Sequence, residues 1–346
     1  MRRRRVMSGI LGAAMMPAWP GAAVAGVGSL NLLVGGPPAA RTSRWGNACA
    51  LAMQAGFPGT PQIITQAVGG LDGVTGANQL DALVVPDGRT AAILPGAALI
   101  AWLTGDSRVH FDPTRWIPVM AGSNSGVLVV RPAPGKAADL AGLRAAAPLR
   151  LAADQPQSND LAALLALAGM GVATAPVFGL RDIGAKTRAF LSGEVNAVFV
   201  SGEGVPEDIA PLSAGGGVPV FSLGGWAADG TVMVDPLFPQ LPDVAAFGAA
   251  QGAAIALEYQ AAAAAARLDF IVVLPKLTAP GAVAQWRQAG LSAMGSAGLA
   301  AAARASSVIL QPAAIAVSAL STLSAMAADQ GNLQAFLVQR FGWQPG

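Results

Sequence analysis

Cysteine, histidine and charge are all scarce in this chain of 346 residues. There is one cysteine, Cys49, and one histidine, His110. A lone cysteine excludes an intrachain disulfide, and a chain of this length can bury a large core without one. Cys49 reads as a small apolar side chain on a buried helix face. With one imidazole and few clustered acids, no metal site is expected. Acid–base chemistry has almost no groups to run on, so neither an enzyme nor a cofactor is expected. Gly122-Ser123-Asn124-Ser125-Gly126 has the glycines of a nucleophile elbow but Asn at its centre, and a hydrolase would need His110 as its base. His110 reads instead as a surface residue in the turn before Phe111. Gly179 to Thr187 approaches a phosphate loop, yet one residue too many separates Gly184 from Lys186.

Charged residues are 12% of the chain against 53% hydrophobic, much of the latter alanine. Lys and Arg number 21 and Asp and Glu 19. Arg2 to Arg5 are the only charges before Gly26, so the remainder carries 17 bases against 19 acids. No basic patch survives to hold a nucleic acid. Those arginines, the apolar run Val6 to Met16 and Ala23-Val24-Ala25 predict a cleavable signal peptide over 1–25, and with it a periplasmic protein. The paired arginines leave general secretory and twin-arginine export both open. The uncharged stretch Ala305 to Ala328 has the length of a membrane span, but Gln311, Pro312 and its Ser and Thr residues make it only weakly apolar. Ser306 to Leu310 reads as a strand before a helix.

The most informative stretch is Gln66 to Leu94. Gly69, Gly70, Gly73 and Gly76 are too dense for a helix interior and suit a loop with free backbone amides. A helix is predicted from Ala77, with Leu80, Leu83 and Val84 on one face. Pro86-Asp87-Gly88 is a turn, and Thr90 to Leu94 a buried strand bounded by a Pro95-Gly96 loop. In open α/β sheets such loops lie at the strands' carboxyl ends, where ligands bind. Upstream, Leu30 to Val34 is a strand ending in Gly35-Gly36-Pro37-Pro38, and Thr42 or Ser43 is positioned to cap the helix through Trp45, Cys49 and Met53. Pro61 to Thr65 is the next strand. Alternation of strand and helix predicts a parallel sheet covered by helices.

Val119 to Arg131 is apolar but interrupted by small polar residues, as suits a segment passing between domains. Beyond it come a helix at Ala138 to Ala146, a strand at Leu149 to Ala152 and a polar loop at Ala153 to Asn159. A Leu-rich helix follows, then strands at Val177 to Leu180 and Ala197 to Val200 around the helix Ile183 to Ser192. A strand at Phe270 to Leu274 and Ala-rich helices close the chain. Trp45, Trp102, Trp116 and Trp226 read as packing residues.

Five ordered segments carry a resemblance: Pro86-Asp87-Gly88-Arg89-Thr90; Phe111-Asp112-Pro113 with Trp116-Ile117-Pro118-Val119; Leu191 to Ala197; Phe238 to Val244; and Val273-Leu274-Pro275 through Thr278 to Val283. Together they resemble the solute-binding (Bug) receptors of tripartite tricarboxylate transporters. The resemblance implies a type II periplasmic-binding-protein-like α/β fold of two domains, each a mostly parallel sheet flanked by helices, with the ligand cleft between. Domain 1 would span 26–123 and 222–346, and domain 2 124–221. It implies a receptor that takes a small carboxylate-like solute and delivers it to membrane permease subunits, as a monomer. The alternative is a periplasmic sensor or degenerate receptor that meets a signalling protein without transport. Carried over to this sequence, the expected ligand-binding residues are Gly35, Gly36, Arg41, Thr42, Gly70, Gly73, Thr75 and Gly76 from the first domain. The second would add Gln155, Ser158, Asn159, Arg181 and Ser201. The chain departs from the family's pattern in two places: the first loop has no acid, and Asp72 has entered the second.

Overall fold

The computed structural model describes residues 28–135, 137–244 and 256–343; the predicted leader lies outside them. The chain opens with strand β1 (Leu30–Gly35), helix α1 (Arg41–Gln54), β2 (Ile63–Val68), α2 (Val74–Leu83), β3 (Thr90–Leu94) and α3 (Gly96–Thr104). β1 pairs in parallel with β2 on one side and β3 on the other. A short 3-10 turn at Pro113–Arg115, capped by Asp112, leads into β4 (Ile117–Ser123). Late in the chain β11 (Leu268–Leu274) and β12 (Ile309–Pro312) join the same sheet, whose order is β12-β4-β11-β3-β1-β2. β11 runs antiparallel to β3 and β4, and β12 antiparallel to β4. Strands β1 to β4 therefore share one direction.

β5 (Gly126–Val130) follows β4 after only two residues, yet it belongs to a different sheet. That second sheet has the order β6-β7-β5-β8, with β6 at Leu151–Ala152, β7 at Ala197–Ser201 and β8 at Val218–Ser222. β6 and β7 are parallel, and β5 is antiparallel to β7 and β8. Each sheet thus has a majority direction, broken in the first by β11 and β12 and in the second by β5. Helices α4 (Leu140–Arg144), α5 (Leu161–Gly169), α6 (Ile183–Leu191) and α7 (Val205–Ala214) cover the second sheet. The return path runs through a small hairpin, β9 (Gly225–Trp226) with β10 (Val232–Met233), to α8 (Ala256–Ala266). There the buried Arg267 donates to the carbonyls of Leu223 and Gly224 and lies 5.1 Å over the Trp226 ring. Burial of this cation is offset by those carbonyls, which fix where the chain crosses back.

The remaining helices are α9 (Pro280–Met294), α10 (Ala297–Ala305), α11 (Ala313–Met326) and α12 (Gln330–Phe341). None of the described helices is long and apolar enough to cross a membrane. Ala261 to Ala266 of α8 are buried, and they let α3, α5 and α11 pack close to its axis in one core that spans both domains. A Cβ on Gly96 would lie 2.1 Å from the Ala265 carbonyl oxygen, so only glycine opens α3 there. Cys49 is fully buried, and burial pushes its thiol up to about 12. Trp45, Trp116 and Trp226 are buried and Trp102 is half-buried; His110 is exposed.

Local expectations needed revision in five places. Neither Thr42 nor Ser43 caps α1: the cap is Ala40, and the Ser43 hydroxyl instead donates to the Pro37 carbonyl at 2.8 Å. α2 begins at Val74, three residues early, because Gly73 adopts φ 75° and Asp72 accepts from the Val74 amide. Gly76 sits inside that helix, where a Cβ would lie 2.9 Å from the Gly35 Cα. Pro95-Gly96 starts α3 directly, with no loop between. Val177 to Leu180 forms no strand; Val177 makes a single bridge to Ala152, and Gly179 and Leu180 then donate to the carbonyls of Asp154 and Ala153, out of ladder register.

Candidate functional site

Loops at the carboxyl ends of β1, β2, β6 and β7 converge on one cleft of about 1070 Å³ between the sheets. Parallel β1 and β2 put their exit loops side by side, as a strand-end binding site requires. From the first domain Arg41, Gly70 and Thr75 line it. From the second come Gln155, Ser158, Asn159, Arg181 and Ser201. Gly35, Gly36, Thr42, Gly73 and Gly76 do not: they are buried behind it, where the two loops pack backbone against backbone. These residues shape the rim from within, and their small size is a packing requirement. Beyond Val74, the Thr75 and Gly76 amides of α2's first turn have no acceptor within the helix, so Thr75 brings a free N-terminus to the cleft.

Most of the cleft's charge is already paired. Arg41, at the start of α1, lies 3.3 Å from the fully buried Asp269 carboxylate at the base of β11. Burial is the largest effect on Asp269 and holds its carboxyl above the usual range, with Arg41 pulling the other way. The acid missing from the first loop is thus replaced, in contact terms, by one far along the chain. Asp72 pairs with Arg108 at 2.7 Å, and the same guanidinium binds Asp106 at 2.6 Å. Arg108's hydrogen bond is the main reason the Asp106 carboxyl is depressed. In the second domain the buried Asp160 carboxylate holds Lys186, the Asp154 amide and the Ser158 hydroxyl. Arg181 has no ion pair among the described residues and stands exposed at the edge.

Glu203, on the loop after β7, reaches across to the first domain. It pairs with Arg44 and accepts from Trp45 Nε1 at 2.5 Å, both on α1. Its neighbour Gly204 donates to the Ser306 carbonyl at 3.2 Å. Glu203→Ala removes both side-chain links, and the expected result is a loss of about 2 kcal/mol in unfolding free energy. The same variant should show a larger radius of gyration in solution scattering; an unchanged radius would mean that the clasp does not hold the domains together.

The sequence reading missed Asp154, Gln157, Lys186, Arg108, Glu203, Asp208 and Trp343, all of which line the cleft. Asp154 and Gln157 lay inside the polar loop already singled out, so for them a signal existed. Arg108, Asp208 and Trp343 sit in segments with no motif; only the folded chain brings them here.

No family model matches the sequence, and no curated protein matches it either. Solved structures do. A TctC solute binding protein from Polaromonas has a TM-score of 0.67 at 17% identity, over 90% of this chain and 99% of its own. MatC from Rhodopseudomonas palustris, solved with bound malate, gives 0.56 at 13%, over 89% and 99%. Another R. palustris protein, solved with adipate, gives 0.55 at 15%, over 89% and 98%. Identities this low speak for shape alone. What they establish, with the two sheets and the cleft between them, is that this chain has the two-domain α/β fold of periplasmic solute-binding proteins of the TctC kind.

Proposed function

We propose that this protein is an exported receptor that binds a small carboxylate-bearing solute between its domains and delivers it to a membrane permease. The observation that carries this reading is the cleft itself. It is walled by strand-end loops of both sheets, with the free N-terminus of α2 on one side and the unpaired Arg181 guanidinium on the other. Both favour an anionic group. The relatives of the same fold solved with malate and adipate support the choice of a carboxylate. Domain 1 comprises 26–123 and 222–346, domain 2 124–221, and closure turns about the crossings at 124 and 222. Residues 1–25 direct export to the periplasm. A permease that reads the closed form responds to the solute because the solute shifts that population.

The test is a thermal-shift and calorimetric screen of small organic acids on the purified chain. Binding by at least one acid is expected, with Arg181→Ala weakening it by about tenfold. If no small solute raises the melting temperature, the receptor reading fails.

A further inference from the structure

Cations are outnumbered in the cleft. Its lining holds six carboxylates, from Asp72, Asp106, Asp154, Asp160, Glu203 and Asp208, against the four bases Arg41, Arg108, Arg181 and Lys186. Three of those bases are committed: Arg41 to Asp269, Arg108 to Asp72 and Asp106, and Lys186 to Asp160. Arg181 is the one of the four without an ion pair among the described residues. On the acidic side the Asp154 and Asp208 carboxylates have no side-chain partner among the described residues. Burial, followed by the charge of Glu207, holds the Asp208 carboxyl above its usual range, as befits an acid without a cation beside it.

We infer that the solute is a zwitterion, with one carboxylate facing Arg181 and the N-terminus of α2 and an ammonium group facing the Asp154 and Asp208 carboxylates. This rests on the receptor reading above and narrows it. A dicarboxylate would find one free guanidinium for two negative charges and would bring the second against unpaired acids. An amino acid satisfies both sides, because its ammonium supplies three donors and a positive charge where the cleft lacks both. Discrimination of this kind comes from the repulsive element as much as from the attractive one.

The experiment is calorimetry on the purified full chain with short-chain α- and ω-amino acids, each set against the dicarboxylate of equal carbon number. At least one amino acid is expected to bind more tightly than its matched dicarboxylate by about tenfold or more. In Asp154→Asn and in Asp208→Asn, measured separately so that a folding defect in one leaves the other, that ratio should shrink. A dicarboxylate that binds more tightly than its amino acid overturns this inference and leaves the receptor reading standing. Failure of both classes to bind overturns this inference, and the receptor reading falls with it only if the wider screen of organic acids is also silent.

Discussion

Asp160→Ala is expected to lower the unfolding free energy by about 4 kcal/mol, the range found when one partner of a buried ion pair is removed. Asp160 is 2% exposed, and its carboxylate accepts from Lys186 Nζ, from the Asp154 amide at 3.0 Å and from the Ser158 hydroxyl at 3.0 Å. Removing it strands an ammonium whose side chain is only 12% exposed. It also frees a backbone amide and a hydroxyl that the carboxylate had satisfied. Denaturant unfolding reads the loss, and a double variant, Asp160→Ala with Lys186→Met, separates its parts. Once the stranded charge is gone, the double variant should recover more than half of the deficit, the remainder being the loop's unsatisfied donors. A loss under about 1 kcal/mol for the single variant would mean the pair behaves as a solvated surface bridge. The consequence for binding follows from position. Asp160 anchors the turn from Asp154 to Asn159, which forms the second domain's wall of the cleft, so solute affinity should fall in the variant even well below its melting temperature.

Trp286→Ala has an expected cost of similar size, about 4 kcal/mol, as for other large aromatic truncations in packed cores. Trp286 on α9 is 1% exposed and meets Phe57 edge-on, ring centroids 5.0 Å apart. Its Nε1 donates to the Gly88 carbonyl at 2.8 Å. That bond ties α9 to the Pro86-Asp87-Gly88 turn, where Asp87 also accepts from the Arg89 amide at 2.9 Å. Trp286→Phe keeps most of the volume and removes the donor, so it should cost only about 1 to 2 kcal/mol. Equal losses for the two variants would show that the hydrogen bond, not the packing, dominates. The position explains why two segments distant in sequence, the turn before β3 and the start of α9, read together as markers of one fold: they are in contact.

Much of the fold was readable residue by residue. β1, α1, β3, α5, α6, β7 and β11 fall within a few residues of the pattern reading, because each pairs a periodic apolar run with a local stop signal. α1 ends before Gly56, and α6 starts after Asp182, whose side chain accepts from the Ala185 amide. The errors share a cause. α2 started early because a side chain two residues upstream and a left-handed glycine together completed the turn, and neither follows from glycine density. Val177 to Leu180 has the composition of a strand, but only one bridge formed, and strand status depends on a partner of matching length.

For the site, sequence alone located the loops, since clustered Gly, Pro and small polar residues between apolar runs mark where a backbone cannot be regular. It also established that chemistry by imidazole, thiol or clustered metal ligands has almost no residues to work with. Charge pairing was decided only by tertiary structure. Whether Arg41 is free or neutralised depends on Asp269, 228 positions away; whether Lys186 is a ligand or an anchor depends on Asp160. Coulomb energy falls with distance in space and ignores distance along the chain, so the balance of charge that selects a solute exists only once both sheets are in place.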